Sequence, residues 1–455
     1  MAQFNFDEIK IFDDAIDDMD IIKTITVTQS EENAFYIADI GNVIKKHQEW
    51  LAKLPRVIPH FGICILLHSK FNVFIKDFTI NSIFILIAIK ANPDSTVIKV
   101  LAALNACFDC ASKQEIQQVM QHGVHGDRII FAHPTKYPSH IDYARKVGVK
   151  QMTVDSESEL FKIKDIFPEA KIVIRIRCDA KYIGTKSLGL KFGSQSDEET
   201  TRLIQLTKDL GLNLHGFSFH VGCLCKDYEA YAKGIALCKQ LITASKAIGC
   251  DNVQLIDIGG GFEGQNGSNI DEVANVINNA IQDLDPNIRV ISEPGTYYVS
   301  SSFTLASYLH SKRITLNEGE IMRMYYMNCG VFNSFLDELL GIQARAPQLL
   351  SEVILYFAYT YMEAIQEAII NLSSQPASKE KFLSSIWGPT ADSYDLILKD
   401  VMLPECHIGD WLIWKNMGSY TIAISCTFNG FPIPTVFPFI RKSQWKNFKN
   451  QIDST

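Results

Sequence analysis

Four short stretches of the sequence carry residues that could together bind a planar, reactive ring and take part in its chemistry. Lys90 ends an apolar, β-branched run and could form an imine if desolvation and neighbouring charges lower the pKa of its amine. His220 in SFHVG could stack on a planar ligand, and Glu293 in SEPG could pair with a ring nitrogen. The run Gly259-Gly260-Gly261 could curl its backbone N–H groups around a phosphate, because glycine tolerates the φ values that this requires.

Each signal alone has an ordinary structural interpretation: a strand-ending lysine in water, a core histidine, a loop carboxylate and a tight turn. If the four signals lie at one site, they provide an amine that can react with an aldehyde, a side chain that stacks on a ring, a partner for the ring nitrogen and a backbone nest for a phosphate. The combination therefore predicts pyridoxal 5'-phosphate as the cofactor. No metal site is predicted, because Cys107 and Cys110 in CFDC have no second half-site at a suitable spacing.

The segments that must position these residues alternate short β-branched runs with amphipathic, helix-like segments from about residue 35 to about residue 305. About eight such repeats favour a closed parallel barrel over an open sheet. In a barrel the strand ends meet at one mouth. The polar or glycine residues at the predicted strand ends are Lys90, Asp109, His133, Asp155, Arg175, His220, Gly259 to Gly261 and Glu293.

After about residue 303 the pattern changes to short strands and turns. The predicted fold class is α/β, with a (β/α)8 TIM-like barrel followed by an antiparallel β domain. The predicted divisions are an N-terminal segment, 1–44, which contributes a strand to the β domain, a barrel, 45–303, and the β domain, 304–455.

Composition narrows the class of protein further. The 51 acidic and 43 basic residues give a net charge of −8, which argues against a nucleic-acid partner. The N-terminus is acidic and lacks the basic start and apolar core of a signal peptide, and the 11 scattered cysteines indicate reduced thiols, so a cytoplasmic location is predicted. The longest uncharged apolar run, 78–89, is shorter than the ~20 residues of a membrane span.

Several motifs together resemble the eukaryotic ornithine decarboxylase family, which includes the catalytically silent antizyme inhibitors. These motifs are AIKANPD, FDCASKQEIQ, DSESEL, SFHVG, DIGGGF, SEPGTYYVSSSFTLA, SSIWGPTADS and CTFNGF, and the likeness extends over about 35–446. The resemblance implies a pyridoxal phosphate barrel with a β domain and a homodimer with shared active sites. It also implies decarboxylation of L-ornithine to putrescine in polyamine biosynthesis.

The resemblance also assigns roles by position. Lys90 matches the lysine that forms the Schiff base, Glu293 the carboxylate that keeps the ring nitrogen protonated, and His220 the ring-stacking histidine. The other matches to the cofactor pocket are Asp109, Glu115, Arg175, Gly259, Gly260, Gly261 and Tyr420. Asp392, supplied across the dimer, and Phe428 match substrate-binding residues, while Lys191 and Asp395 match a pair that bridges subunits.

This sequence departs from the family pattern at both ends of the site. At the phosphate end, Thr296 replaces an arginine, Cys223 a serine and Leu224 a glycine; each lost charge-assisted partner is worth ~1.5–3 kcal/mol. At the reaction end, Ala391 replaces a cysteine that guides reprotonation, and Leu340-Gly341 replaces the tyrosine–aspartate pair for the distal amine. These changes imply weakened or lost activity. The alternative is an inactive regulator that binds antizyme through 143–166.

Two insertions interrupt the resemblance, at about 62–87 and about 351–370. The first splits the strand that leads to Lys90. We predict that IFILIAI at 83–89 replaces this strand in register and that 62–82 loops out at the N-terminal face of the barrel. A retained intron or an error in the gene model is the competing explanation, because the insert is rich in Ile, Phe, Asn and Lys.

Overall fold

The computed structural model describes residues 5–28, 32–63, 91–180, 191–195, 197–268, 270–317, 319–339, 345–350 and 380–453. The strands, in chain order, are β1 (Lys10–Phe12), β2 (Phe35–Asp39), β3 (Val57–Ile63), β4 (Cys107–Cys110), β5 (Ile129–Phe131), β6 (Gln151–Val154), β7 (Lys171–Arg175), β8 (Asn213–Ser218), β9 (Leu255–Asp257), β10 (Arg289–Ser292), β11 (Phe303–Asn317), β12 (Glu320–Met327), β13 (Gln348–Leu349), β14 (Lys381–Trp387), β15 (Leu396–Pro404), β16 (Trp411–Trp414) and β17 (Thr435–Arg441).

The helices are α1 (Asp18–Thr28), α2 (Ile40–Lys53), α3 (Ser95–Ala103), α4 (Lys113–Gln121), α5 (Pro138–Lys146), α6 (Glu157–Ile166), α7 (Asp197–Asp209), α8 (Glu229–Ala247), α9 (Asp271–Ala280), α10 (Gly295–Val299), α11 (Leu336–Leu339) and α12 (Lys442–Asp453). Helices alternate with the strands β3 to β10, as the repeated pattern predicts. The domain boundary predicted between residues 44 and 45 falls inside α2.

Strands β3 to β10 form a closed barrel in which every pair of neighbours is parallel, in agreement with the predicted (β/α)8 fold. Ile130, Val173, Leu255 and Ile291 are fully buried and form one apolar cluster. Three of these residues come from strands that are not adjacent, β5, β7 and β9. Such residues can meet only inside the barrel, so its interior is a packed core and the chemistry must take place at one end.

The barrel is closed by β3, whose residues pair on both sides. Residues Val57 to Pro59 pair with β10, and residues His60 to Ile63 pair with β4. The position predicted for 83–89 is therefore occupied by β3, and that prediction was wrong, because one position in a barrel holds one strand. Residues 83–89 and Lys90 themselves lie outside the described residues.

The same register corrects the predicted side of the first insertion. Ile63 pairs with Cys110, the last residue of β4, so the chain leaves β3 at the mouth of the barrel and not at its N-terminal face. The described chain resumes at Ala91 and enters α3 at Ser95. The second predicted insertion, 351–370, also lies outside the described residues.

The remaining strands form the β domain, whose sheet is mixed and not antiparallel as predicted. Its main path runs β1-β17-β2-β11-β12-β14-β15, and β16 pairs with β11 and β13. The pairs β1–β17, β17–β2 and β12–β14 are parallel. Strand β2, from the N-terminal segment, lies between β17 and β11, so the sheet joins parts of the chain that are far apart in sequence.

Both termini of the described chain are held together beside this sheet. Arg441 donates to Asp18 at 2.7 Å, and the backbone N–H of Ser443 donates to Asp14 at 3.1 Å. The ring of Phe6 meets that of Phe448 edge to face, with 5.3 Å between centroids. The acidic N-terminal segment is therefore a folded part of the β domain.

Two predictions from composition can be compared with the described part of the chain. All ten cysteines found there are free thiols. No helix among the described residues has the length and apolar character to cross a bilayer.

A buried histidine on α2 makes the stability of the fold depend on pH. His47 is 3% exposed, and its Nδ1 lies 2.9 Å from the Tyr298 hydroxyl. Burial lowers the pKa of His47 to about 4 from 6.5. Between these values the unfolded chain binds more protons than the folded chain. Folding stability is therefore lost as the pH falls from about 6.5 to about 4, by up to ~3 kcal/mol from this one group.

We therefore expect His47→Gln to reduce the fall in thermal midpoint between pH 7.5 and pH 5, although it lowers the midpoint at pH 7.5 through the lost contact with Tyr298. The measurement is calorimetric unfolding at both values. His125→Gln is the control, because the His125 side chain is 79% exposed. An unchanged fall in the His47 variant would contradict the assignment.

Candidate functional site

The mouth of the barrel collects the polar residues predicted at the strand ends. Asp109 lies in β4 and Arg175 ends β7, while Asp155 and Glu293 each follow a strand by one residue. His133, His220 and Gly259 each follow a strand by two residues. Parallel strands carry their carboxyl ends to one face, so these residues share the mouth. Lys90 lies outside the described residues.

The glycine run after β9 is fixed to the neighbouring loop after β10. Gly259 and Gly261 adopt φ angles of +65° and +106°, which other residues rarely adopt. The Gly259 carbonyl accepts hydrogen bonds from the backbone N–H of Glu293 and from Ser292 Oγ, both at 2.7 Å. Gly259 N donates to Asp257 Oδ1 at 2.9 Å. These bonds set the position of Glu293 relative to the glycine run.

Gly260 approaches two of the predicted site residues closely. A Cβ at this position would lie 2.7 Å from the Glu293 carbonyl oxygen and 3.1 Å from His220 Nε2. His220 Nδ1 accepts a hydrogen bond from Gly222 N at 3.0 Å, so a neutral ring carries its proton on Nε2, the atom next to Gly260. The structure thus brings His220, Gly260 and Glu293 together.

Arg175 is a half-buried cation at the mouth. Burial lowers the pKa of its guanidinium, and the carboxylates of Glu293, Asp155 and Asp257 act in the opposite direction. The guanidinium carbon lies 5.5 Å from the centre of the Phe192 ring. Burial also raises the pKa of Asp155, whose Oδ2 accepts from Gly193 N at 2.9 Å. The mouth therefore holds a positive charge surrounded by acids.

The three substituted residues at the phosphate end of the predicted site all lie among the described residues. Burial raises the pKa of the Cys223 thiol, and a hydrogen bond with Tyr420 acts in the opposite direction. Leu224 has a φ of +50°, a left-handed conformation that costs a side-chain residue ~1–2 kcal/mol. Thr296 lies in the first turn of α10. Because this position favours glycine, the leucine strains the backbone of the loop.

Tyr420 connects the β domain to the chain that follows Lys90. Its backbone N–H donates to the Ala91 carbonyl at 3.0 Å. Asn92 Nδ2 donates to the Gly418 carbonyl at 2.7 Å. The residue directly after Lys90 is therefore held beside the predicted phosphate contact Tyr420.

The two predicted substrate residues lie in the β domain. Asp392 occupies the turn between β14 and β15, where its Oδ1 accepts from Tyr394 N at 2.8 Å. Phe428 is 42% exposed and its ring lies 4.5 Å from that of Phe332. Ala391 is exposed beside Asp392. Leu340 and Gly341 lie outside the described residues.

The predicted interface pair is engaged within its own chain. Asp395 is 1% exposed and accepts hydrogen bonds from the N–H groups of Val331 and Thr390, at 2.7 and 2.9 Å. Lys191 Nζ lies 4.9 Å from the centre of the Phe192 ring. The bridge between subunits stays a prediction.

Glu115, predicted in the cofactor pocket, lies in the first turn of α4. Its backbone N–H donates to Ser112 Oγ at 3.2 Å, and its Oε2 accepts from the backbone N–H of Ala111, directly after β4. Its role in the cofactor pocket stays a prediction. Asp257 and Ser292, which hold the glycine run, were missed in the sequence analysis. An aspartate two residues before a glycine run is the signal that could have indicated the first, because Asp side chains bind nearby backbone N–H groups.

The fold and the mouth define a pyridoxal-binding decarboxylase barrel. The model for the pyridoxal binding domain of pyridoxal-dependent decarboxylases matches residues 65–300. Ornithine decarboxylase of Mus musculus is 36% identical across 100% of this chain and 92% of its own length. Antizyme inhibitor 2 of Xenopus laevis is 36% identical across 94% of this chain and 85% of its own length.

Among solved structures, the Paramecium bursaria Chlorella virus arginine decarboxylase bound to agmatine is similar, with a TM-score of 0.77 and 29% identity. The match covers 93% of this chain and 100% of that chain. The chain belongs to the ornithine decarboxylase family of pyridoxal phosphate-dependent decarboxylases, and the family predicted from its motifs is confirmed.

The residues at the mouth fit pyridoxal phosphate. Among the described residues, none accepts a hydrogen bond from the backbone N–H of Gly260 or Gly261, although Gly260 is buried. Buried N–H groups without a protein acceptor are costly, and an anion would satisfy them. His220 and Glu293 adjoin these groups and would supply a ring and a carboxylate to the cofactor.

The close approach at Gly260 predicts a sensitive position. Gly260→Ala should lower the free energy of unfolding by ~1–3 kcal/mol and displace the glycine run, because the new Cβ has no space. Thermal unfolding and absorbance titration with pyridoxal phosphate measure the two effects. Gly148→Ala is the control, since its Cβ would meet nothing within 4 Å although its φ is +78°. Equal loss of binding in both variants would contradict a specific role for the glycine run.

Proposed function

We propose that this chain binds pyridoxal phosphate weakly at the barrel mouth and that its decarboxylation of L-ornithine to putrescine is weakened or lost. The observation that carries the proposal is the contrast between two ends of one site. At the ring end, His220, Gly260 and Glu293 are held together. At the phosphate end, Leu224 is strained and the Cys223 thiol contacts Tyr420.

Each retained residue has a defined task toward the cofactor. Bound pyridoxal phosphate supplies an electron sink for the bond that breaks when CO2 leaves. Glu293 would hold a proton on the ring nitrogen, and His220 would stack on the ring. Lys90 would hold the cofactor through its amine, and the glycine run would bind the phosphate. Asp109, Arg175 and Tyr420 complete the proposed cofactor pocket.

The substrate end lacks groups for a long, cationic amino acid. Asp392 would be the acidic partner of the distal amine, with Phe428 as an aromatic wall. Ala391 cannot donate or accept a proton, and Gly341 offers no carboxylate. Because a buried ammonium needs a paired charge, ornithine should bind poorly.

The first test is restoration of the phosphate end. The triple variant Thr296→Arg, Cys223→Ser and Leu224→Gly should bind pyridoxal phosphate about tenfold to a hundredfold more tightly, because a charge-assisted bond is worth ~1.5–3 kcal/mol. The measurement is an absorbance titration together with putrescine release from L-ornithine. Adding Ala391→Cys, Leu340→Tyr and Gly341→Asp should then raise turnover.

Two outcomes would overturn this proposal. One is tight cofactor binding by the unmodified chain that the triple variant does not improve. The other is putrescine release by the unmodified chain as fast as by the fully restored variant. Glu293→Gln in the restored chain is the matched control, since its turnover should fall while the protein stays folded.

We also propose a homodimer, with Asp392 supplied across the interface and Lys191 paired with Asp395 of a second copy, and a cytoplasmic location. The free thiols of the described residues support a reducing compartment. Membership of the ornithine decarboxylase family, resemblance to which implies a homodimer, supports the dimer.

A second candidate function is sequestration of antizyme by a catalytically inactive chain. It is supported by the likeness to antizyme inhibitor 2 of Xenopus laevis and by a basic, partly apolar surface on α5 and α6. The side chains of Arg145 and Lys146 are 48% and 64% exposed, and both pair with Asp142. Phe161 on α6 is 49% exposed. This surface falls within 143–166, the region predicted to bind antizyme.

The test of this function is a binding titration with purified antizyme. Arg145→Glu with Lys146→Glu should weaken binding at least tenfold, because charge reversal on a binding surface replaces attraction by repulsion. Lys233→Glu with Lys246→Glu, on α8, is the matched control and should have no effect. Absence of binding by the unmodified chain, or equal loss in both variants, would exclude this surface.

A further inference from the structure

A buried tyrosine on α8 lies directly beneath the glycine run. The Tyr231 hydroxyl donates a hydrogen bond to the Gly260 carbonyl at 2.9 Å, and Tyr231 is fully buried. We infer that Tyr231 is a positioning residue that turns the backbone N–H groups of the glycine run toward a bound phosphate. The inference deepens the proposed function and rests on it for the identity of the ligand.

The first support is that all three glycine carbonyls are bound to protein groups. The Gly259 carbonyl accepts from Glu293 N and Ser292 Oγ. The Gly260 carbonyl accepts from Tyr231, and the Gly261 carbonyl accepts from Cys225 N at 3.0 Å. Each carbonyl is thus held by a different element of the barrel.

The second support is the geometry of the peptide bond. In a planar trans peptide, the C=O of one residue and the N–H of the next point in opposite directions. Fixing the three carbonyls therefore turns the N–H groups of Gly260, Gly261 and Phe262 away from those partners. None of these three N–H groups has an acceptor among the described residues. Successive N–H groups of this kind form an anion-binding nest.

The Gly260 carbonyl is the middle one, and Tyr231 is the only side chain among the described residues that donates to it. A Cβ on Gly261 would lie 2.9 Å from the Tyr231 hydroxyl oxygen, so the run passes directly over this group. Without the hydroxyl, the peptide between Gly260 and Gly261 loses the bond that fixes its direction. The N–H of Gly261 would then be free to turn out of the nest.

The tyrosine is itself rigid. Its ring lies 5.0 Å from that of Phe262, which in turn packs edge to face on Trp50 at 4.9 Å. Burial raises the pKa of the Tyr231 phenol well above its usual range, so the hydroxyl remains a proton donor across the physiological range. A fixed donor of this kind can set the direction of one peptide without moving when a ligand binds.

The nest matters more in this chain because other phosphate partners are missing. Thr296 offers no charge, and the Cys223 thiol is a weak donor that already contacts Tyr420. Phosphate binding then depends on backbone N–H groups, whose direction Tyr231 controls. Loss of the phenol hydroxyl should therefore weaken the binding of a phosphorylated ligand and leave the binding of the same ligand without its phosphate unchanged.

The experiment compares two probes that lack an aldehyde and so do not react with lysine. These are 4'-deoxypyridoxine 5'-phosphate and 4'-deoxypyridoxine, each measured by isothermal titration with the full chain. We expect the unmodified chain to prefer the phosphorylated probe. Tyr231→Phe should weaken that probe about tenfold and leave the unphosphorylated probe unchanged, the effect of one misdirected hydrogen bond in a buried site.

The control is Tyr325→Phe, which removes a buried hydroxyl that accepts from Cys406 N at 3.1 Å in the β domain. It should destabilise the fold to a similar extent and leave both probes unchanged. Equal loss of both probes in Tyr231→Phe, or no loss of either, would overturn the inference. So would an unmodified chain without preference for the phosphorylated probe. If the unmodified chain prefers the phosphorylated probe but does not decarboxylate L-ornithine, the proposed enzyme activity is refuted and the inference about Tyr231 is not affected.

Discussion

Closure of the barrel by β3 is the constraint on which the rest of the structure depends. A parallel barrel brings strand ends to one mouth only if every strand has two neighbours, and β3 joins β10 to β4. If β3 were absent, Asp109 in one neighbour, β4, and Glu293 after the other, β10, would lie at two edges of an open sheet. The residues of the candidate site therefore share one face because of seven residues of β3.

Within that frame, the site depends on backbone geometry more than on side-chain charge. The bonds from Glu293 N and Ser292 Oγ to the Gly259 carbonyl fix the loop after β10 to the glycine run. The bond from Glu293 N joins two backbone groups, and neither bond involves a substituted residue of the phosphate end. Thr296 and Cys223 change what a phosphate meets from side chains, whereas the nest of N–H groups persists. The two contributions to anion binding can be lost separately.

The sequence allowed much of this arrangement to be predicted, for a physical reason. Strands β5 to β10 alternate with helices, and polar residues at strand ends must converge in a parallel barrel. The strand that closes the barrel was predicted wrongly, because residues 57–63 and 83–89 are both apolar and β-rich. A pattern of hydrophobic residues does not distinguish them. Only pairing with β4, from His60 to Ile63, decides between the two.

Another difference had a similar cause. The mixed character of the β sheet depends on pairs such as β1 with β17, whose residues Lys10 and Phe439 are separated by most of the chain. Local patterns carry no information on such pairs.

Under the proposed function, the positions of the substituted residues explain how the fold can persist while the chemistry weakens. Thr296 is half-buried at the mouth, whereas the next two residues, Tyr297 and Tyr298, are 1% exposed and pack into the core. Ala391 is exposed, and Leu224 is only partly buried. A change at such positions alters ligand contacts and removes little apolar burial, so the main cost to stability is the ~1–2 kcal/mol of backbone strain at Leu224. The barrel and the surface of α5 and α6 are therefore under separate physical constraints from the mouth, and a chain of this family can lose turnover and keep a surface for binding.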